Sequence, residues 1–235
     1  MEHTKYFPTV EAIEKASGVL EEILTPTPFQ KNNNLSDIYN AEVYLKREDL
    51  QMGRSYKIRG ADNKIRSIDP ENMKNGIVCA SAGNHAQGVA LASSHMGIKS
   101  VICMPDGAPI SKVEATRALG AEVCLVPGAY DDAYAHACEL EQQTHATFIH
   151  PFDDEDVIAG QATIGLEILD QLDELDAVVV PIGGGGLIAG VAYAIKMLRP
   201  EVKVYGVQAE KAAAMFQSRR EGRSITLDRV ATFAD

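Results

Sequence analysis

Ile77-Val78-Cys79-Ala80-Ser81-Ala82-Gly83-Asn84-His85-Ala86-Gln87-Gly88-Val89-Ala90-Leu91-Ala92 runs from four apolar residues, through a small-residue turn, into a stretch with helical spacing. A short β-branched run bounded by a turn predicts a buried strand, and the stretch after it predicts a helix from Asn84 to Met96. The same unit then repeats. Apolar runs Val101–Met104 and Val123–Val126 alternate with helical patterns over Ile110–Leu119 and Ala129–Thr144. Beyond Phe148-Ile149-His150-Pro151 the rhythm resumes with a helix Asp156–Leu172, a run Ala177–Pro181, a helix Leu187–Leu198, a run Val202–Val207 and a helix Ala212–Arg220. Strands that alternate with amphipathic helices imply parallel pairing through crossovers, hence an α/β fold with helices on both faces of its sheets.

Upstream, Thr9 stands where an N-cap would precede the apolar positions Val10, Ile13, Ala16, Val19, Leu20 and Ile23, and Thr25-Pro26-Thr27-Pro28 stops that helix. Lys31-Asn32-Asn33-Asn34 reads as a polar turn, and the alternation across Ala41–Lys46 predicts a half-buried strand. A helix is expected from Lys57 to Ile68, closed by Asp69-Pro70. His150-Pro151 is the expected crossing between two lobes, with residues 69–150 the smaller and residues 1–68 plus 151–235 the larger. Ile225 to Asp235 holds an incipient strand but no terminal helix or cap, so the 235 residues are expected to be a piece of a longer protein.

Composition excludes several classes of partner. A net charge of -11 does not suit the phosphates of nucleic acid or an anionic membrane, which need clustered Lys and Arg. Cys79, Cys103, Cys124 and Cys138 form no C-x-x-C pair and read as small core residues of a reducing compartment. No uninterrupted run approaches the roughly 20 apolar residues of a membrane span. A cytoplasmic protein is the expectation. His136, His145 and His150 show no metal-ligand spacing, and Asp153-Asp154-Glu155-Asp156 reads as a helix cap, so no metal is expected.

Three segments bear on chemistry. In Ser55-Tyr56-Lys57-Ile58-Arg59-Gly60-Ala61 the lysine opens a helix beside an aromatic ring; it is either a solvated surface residue or an amine whose surroundings make it a nucleophile toward an aldehyde. Gly183-Gly184-Gly185-Gly186 follows a buried run and opens a helix, a geometry that aims several N–H groups at one anion. A plain tight turn and a nicotinamide-dinucleotide loop remain open for it. Ser81-Ala82-Gly83-Asn84-His85 also precedes a helix N-terminus and suits a carboxylate, or else simply caps the helix with His85 packed inside. A phosphorylated aldehyde acting on an amino acid requires all three features together.

These stretches, with Leu45–Asp49 and Gly160-Gln161-Ala162-Thr163-Ile164-Gly165, make the chain similar to the fold-type II pyridoxal-phosphate enzymes, specifically the threonine and serine dehydratases. The resemblance covers nearly the whole chain. It implies two parallel-sheet α/β lobes of the tryptophan-synthase-β-like kind, pyridoxal 5'-phosphate as cofactor, an amino-acid substrate, and a homo-oligomer, dimer or tetramer. Lys57 would be joined covalently to the cofactor and act as base, Tyr56 would pack on the pyridine ring, and Asn84 would hydrogen-bond the ring oxygen. Gly183, Gly184, Gly185, Gly186 and Leu187 would hold the phosphate, while Ser81, Ala82, Gly83, Asn84 and His85 would hold the substrate carboxylate. The implied activity is β-elimination of L-threonine to 2-oxobutanoate and ammonia, with L-serine to pyruvate beside it.

The chain departs from the family pattern in three places. The Ser or Cys that contacts the pyridine nitrogen near the family's C-terminus has no counterpart before Asp235, and no segment corresponds to the regulatory domain of many biosynthetic members. Ala82 stands where related racemases carry a Ser that acts as base, which favours the dehydratase. Glu210 resembles a cation-binding acid of some relatives but lacks the Asp that would follow it. The rival readings are a truncated, non-catalytic module of this fold and, more remotely, a nicotinamide-dependent oxidoreductase.

Overall fold

The computed structural model describes residues 7–227 and 230–232. α1 (Val10–Glu21) starts at Thr9, whose side chain accepts from Ala12 N–H, and ends before the Thr-Pro repeat is reached. β1 (Phe29–Lys31) follows, then α2 (Asn33–Tyr39) and β2 (Tyr44–Lys46), which pairs antiparallel with β1. The polar turn expected at Lys31–Asn34 is therefore the junction of a strand and a helix. Asn32 makes the difference: its side chain accepts from Leu35 N–H, the bond of an N-cap rather than of a free turn.

Two 3-10 turns, Glu48–Leu50 and Met52–Arg54, lead into α3 (Lys57–Ser67), and the short α4 (Pro70–Met73) sits on Asp69-Pro70. The regular alternation then appears as β3 (Ile77–Ala80), α5 (Asn84–His95), β4 (Ser100–Pro105), α6 (Ile110–Ala118), β5 (Glu122–Val126), α7 (Tyr130–Thr144) and β6 (Thr147–Phe148). After it come α8 (Glu155–Gln171), β7 (Ala177–Pro181), α9 (Gly186–Leu198), β8 (Lys203–Val207) and α10 (Ala214–Glu221). The helix expected over Ala212–Arg220 is broken, because Ala213 leaves helical geometry between a 3-10 turn at Glu210–Ala212 and α10. The strand expected beyond Ile225 is not formed by the described residues there, and part of that stretch lies outside them.

β3 to β6 form one parallel sheet in the order β5-β4-β3-β6, and β7 pairs parallel with β8. Alternation along the strands sorts the sheet's two faces. Ile77, Cys79, Ile102 and Met104 pack with Val89 and Ala90 of α5 and Val113 of α6, whereas Val78, Ala80 and Cys103 pack with Ala133 and Ala137 of α7. The chain leaves β3 in one direction, toward β4 and β5, and returns on the other side at β6. That reversal leaves a crevice outside the carboxyl ends of β3 and β6, where ligands of open α/β sheets bind.

α3 and α8 cross backbone to backbone. A methyl group on Gly160 would lie 2.5 Å from the Arg59 carbonyl oxygen and 2.7 Å from Gly60 Cα, so only glycine lets the two helices approach this closely. α9 meets α8 in the same way, since a methyl group on Gly190 would lie 2.5 Å from the Ile158 carbonyl oxygen. Lys57 and the glycine turn at the head of α9 are thus carried on helices fixed against one common partner.

Candidate active site

The loops after β3 and β6 are joined by His85. Its ring, fully buried at the start of α5, has Nε2 3.0 Å from the Ile149 carbonyl oxygen. A carbonyl only accepts, so Nε2 carries the proton. Burial, the nearby charge of Lys57 and that of His150 push its pKa down to about 3 against the opposing carbonyl bond, so the ring is neutral.

Lys57 stands at the first turn of α3, and Nζ donates to the Pro151 carbonyl oxygen at 2.7 Å. The amine lies 5.3 Å from the centroid of the Tyr56 ring, and Tyr56 packs into the apolar cluster that also holds Leu187 of α9. Burial lowers the Lys57 pKa to about 8. About a tenth of it is therefore free amine at pH 7, far more than for an ordinary lysine.

One residue beyond that carbonyl, Phe152 meets the glycine turn. A methyl group on Gly184 would lie 2.4 Å from its ring, and one on Gly186 would lie 2.7 Å from its carbonyl oxygen. Gly185 adopts φ +97°, which a side chain resists, and α9 begins immediately after it with no side-chain cap. His150 braces the connection: Nδ1 accepts from Asp153 N–H at 2.7 Å and from Phe152 N–H at 3.3 Å, and burial lowers its pKa. Lys57 and the turn at 183–186 therefore face two consecutive residues of one braced loop.

The second turn is laid out beside it. Ser81 Oγ accepts from Gly83 N–H at 3.1 Å, Ala82 packs partly on the core, and Asn84 is exposed at the first position of α5. Beside Gly83 and beside Gly183 the space for a methyl group is open. A reactive amine, a helix N-terminus with free N–H groups in a glycine turn and a second helix N-terminus fit an aldehyde, a phosphate and a carboxylate in turn. A cavity of about 340 Å³ lies elsewhere, lined by Leu20, Leu24 and Leu166 with Arg59 and Glu167, and does not include Lys57.

Residues 20–235 match the family described as pyridoxal-phosphate dependent enzyme. The chain belongs to that family. It is 49% identical over 227 residues to the L-threonine ammonia-lyase of Thermotoga maritima, covering 97% of this chain and 57% of that protein. Among solved structures it resembles the processed form of threonine deaminase isoform 2 from Solanum lycopersicum, with 40% identity and a TM-score of 0.91 over 98% of this chain and 68% of that one. It also resembles maize serine racemase, with 34% identity and a TM-score of 0.95 over 98% and 70% of the two chains. The chain spans between 36% and 57% of the length of such curated relatives. A family defined by pyridoxal phosphate is in keeping with a buried amine and a glycine turn that face one loop.

The Lys57 segment also holds a network that its motif does not announce. Arg59, buried, donates from Nε and Nη2 to Glu48 at 2.8 Å each, and from Nη1 and Nη2 to Glu167 at 2.6 and 3.1 Å. Lys46 Nζ completes it at 2.5 Å from Glu167. Two cations and two carboxylates thereby tie β2, the first 3-10 turn and α8 to the helix that carries Lys57. Its sequence signal was the charged run Lys46–Glu48 close to Arg59, but Glu167 is over a hundred residues away. The link through Pro151 and Phe152 was missed for the same reason, since His150-Pro151 reads only as a boundary.

Proposed function

We propose that the chain is the catalytic part of an L-threonine ammonia-lyase, converting L-threonine to 2-oxobutanoate and ammonia, with L-serine giving pyruvate in the same pocket. The observation that carries this reading is the pairing of Lys57 with the glycine turn across Pro151-Phe152. Pyridoxal 5'-phosphate supplies an aldehyde that captures an amine and a conjugated ring that spreads negative charge from Cα. In this reading Lys57 holds the cofactor, with Tyr56 and Asn84 beside its ring, and Gly183, Gly184, Gly185, Gly186 and Leu187 donate N–H groups to its phosphate. The substrate carboxylate takes the N–H groups of the turn from Ser81 to His85. Neutral His85 positions that turn through Ile149 without adding charge.

With the substrate amine held at the cofactor's aldehyde, the free Lys57 amine would be the base that takes the Cα proton. Its pKa near 8 suits an amine that accepts a proton and later gives it up. The β-hydroxyl leaves with a proton as water, and hydrolysis then releases ammonia and the 2-oxo acid. The methyl side chain of Ala82 can carry no proton, so the second base that racemisation needs is lacking at that position. Serine differs from threonine by one methyl group, worth about 1–3 kcal/mol, so both react.

Residues 69–150 make the smaller lobe of the proposal, supported by the sheet β5-β4-β3-β6 that lies within them. A cytoplasmic homo-oligomer is part of the same proposal. No described helix is long and apolar enough to cross a membrane, the cysteines are unpaired, and Val179, Tyr205 and Val207 leave one face of the β7-β8 sheet exposed. The test is release of 2-oxobutanoate from L-threonine by the protein as its own cells make it, with chiral analysis of serine in parallel. Oxo-acid release without D-serine supports the reading; D-serine in excess of pyruvate contradicts it.

A further inference from the structure

Away from the Lys57 site, Cys103 of β4, Cys124 of β5 and His136 of α7 converge. One potential ligand atom from each lies within 4.8 Å of the other two. The convergence follows from topology. Cys103 and Cys124 are register partners on adjacent parallel strands, so their side chains leave the same face of the sheet. α7 covers that face, and both sulfurs join the apolar cluster around Ala133 and Ala137. His136, one turn beyond Ala133, sits at the rim with 37% of its side chain exposed, which leaves an entry path. Cys79 takes no part, because it pairs with Ile102 and belongs to the opposite face.

We propose that Cys103, Cys124 and His136 form a zinc(II) site that bolts β4 and β5 to α7. Two sulfurs and an imidazole make a soft donor set, which selects zinc over magnesium or calcium. Tetrahedral zinc, with Zn–S about 2.3 Å and Zn–N about 2.0 Å, holds its donors about 3.5–3.8 Å apart, so the cluster closes by about an ångström of side-chain movement. As the sulfurs coordinate, each thiol releases its proton to solvent, and the two thiolates balance the charge of the ion inside an apolar cluster. Glu139 Oε2 lies 3.5 Å from His136 Nδ1, near enough to orient the ring, and water completes the shell. The sequence hides this arrangement because its ligands come from three elements with no common spacing.

The experiment strips the purified, reduced chain of metal, dialyses it against zinc(II) or magnesium(II), and counts bound metal by elemental analysis. About one zinc per chain and no magnesium is the expected result. Cys124→Ser and His136→Gln, checked for folding by circular dichroism, should each weaken zinc binding by about 100-fold or more, and Glu139→Gln by about 10-fold. Cys138→Ser, on α7 but outside the cluster, should leave binding unchanged. In the unaltered chain zinc should also slow alkylation of Cys124, a readout that needs no variant. Failure to bind zinc stoichiometrically, zinc binding undiminished in His136→Gln, or Cys124 alkylated equally fast with and without zinc overturns the proposal.

Discussion

The proposed chemistry rests on one amine, Lys57, which burial makes less basic than an ordinary lysine. Burial holds Lys57 near pKa 8, below the usual lysine value, so the folded chain binds that proton less tightly than the unfolded chain does. Below pH 8 the cost of the buried charge is fully present, and it is relieved as pH rises from 8 toward the unfolded value. Stability of the cofactor-free chain should therefore rise with pH across that window, and Lys57→Met should remove the rise; urea titrations at pH 7, 8 and 9 measure both slopes. The same shift should make covalent capture of pyridoxal phosphate accelerate as pH passes through about 8, where an ordinary surface lysine would still be protonated. Stopped-flow absorbance reads that rate. A motif shows which residue is a lysine; the burial that lowers its pKa and the Pro151 carbonyl it meets, 94 positions away, come from the fold.

Helices carry the site, and the contacts between them leave no slack. Gly160→Ala would set a methyl group against the backbone of α3 rather than against a movable side chain, so it should destabilise the chain by about 1–3 kcal/mol in urea unfolding. For Gly184→Ala the three nearest atoms all belong to the Phe152 ring, a side chain that can turn aside. That substitution should leave stability within about 1 kcal/mol of the parent while weakening pyridoxal-phosphate binding, measured by fluorescence titration. Most elements were legible because apolar spacing directly encodes which face is buried: β3, α5, β4 and α6 stand within a residue or two of their expected ends. α2 was not, because consecutive asparagines serve a turn and an N-cap equally well until Leu35 N–H is seen to point at Asn32. The break at Ala213 was hidden likewise, since alanine has helical propensity in any setting.

At the scale of the molecule, the order of strands and the long-range ion network decide where the loops meet. Neither is written in local pattern: β6 returns beside β3 rather than β5, and Arg59 finds Glu167 only after α8 has docked. Burial raises the Glu167 pKa, but hydrogen bonds and charge from Arg59 and Lys46 outweigh it, and the net shift is downward. Stability from this carboxylate is thus present above the ordinary glutamate pKa and lost as pH falls through the lower folded value. Glu167→Gln should flatten that acid limb, read as unfolding midpoint against pH. Arg59→Met should cost about 3–5 kcal/mol at neutral pH, because it leaves two carboxylates with one partner fewer. The central claim is that Lys57 is the cofactor's covalent anchor. The most direct measurement is borohydride reduction of the chain loaded with pyridoxal 5'-phosphate, followed by proteolysis and mass mapping. A phosphopyridoxyl group on Lys57, absent from Lys57→Ala, is the expected result; a stable adduct on any other lysine, or none at all, would contradict that assignment.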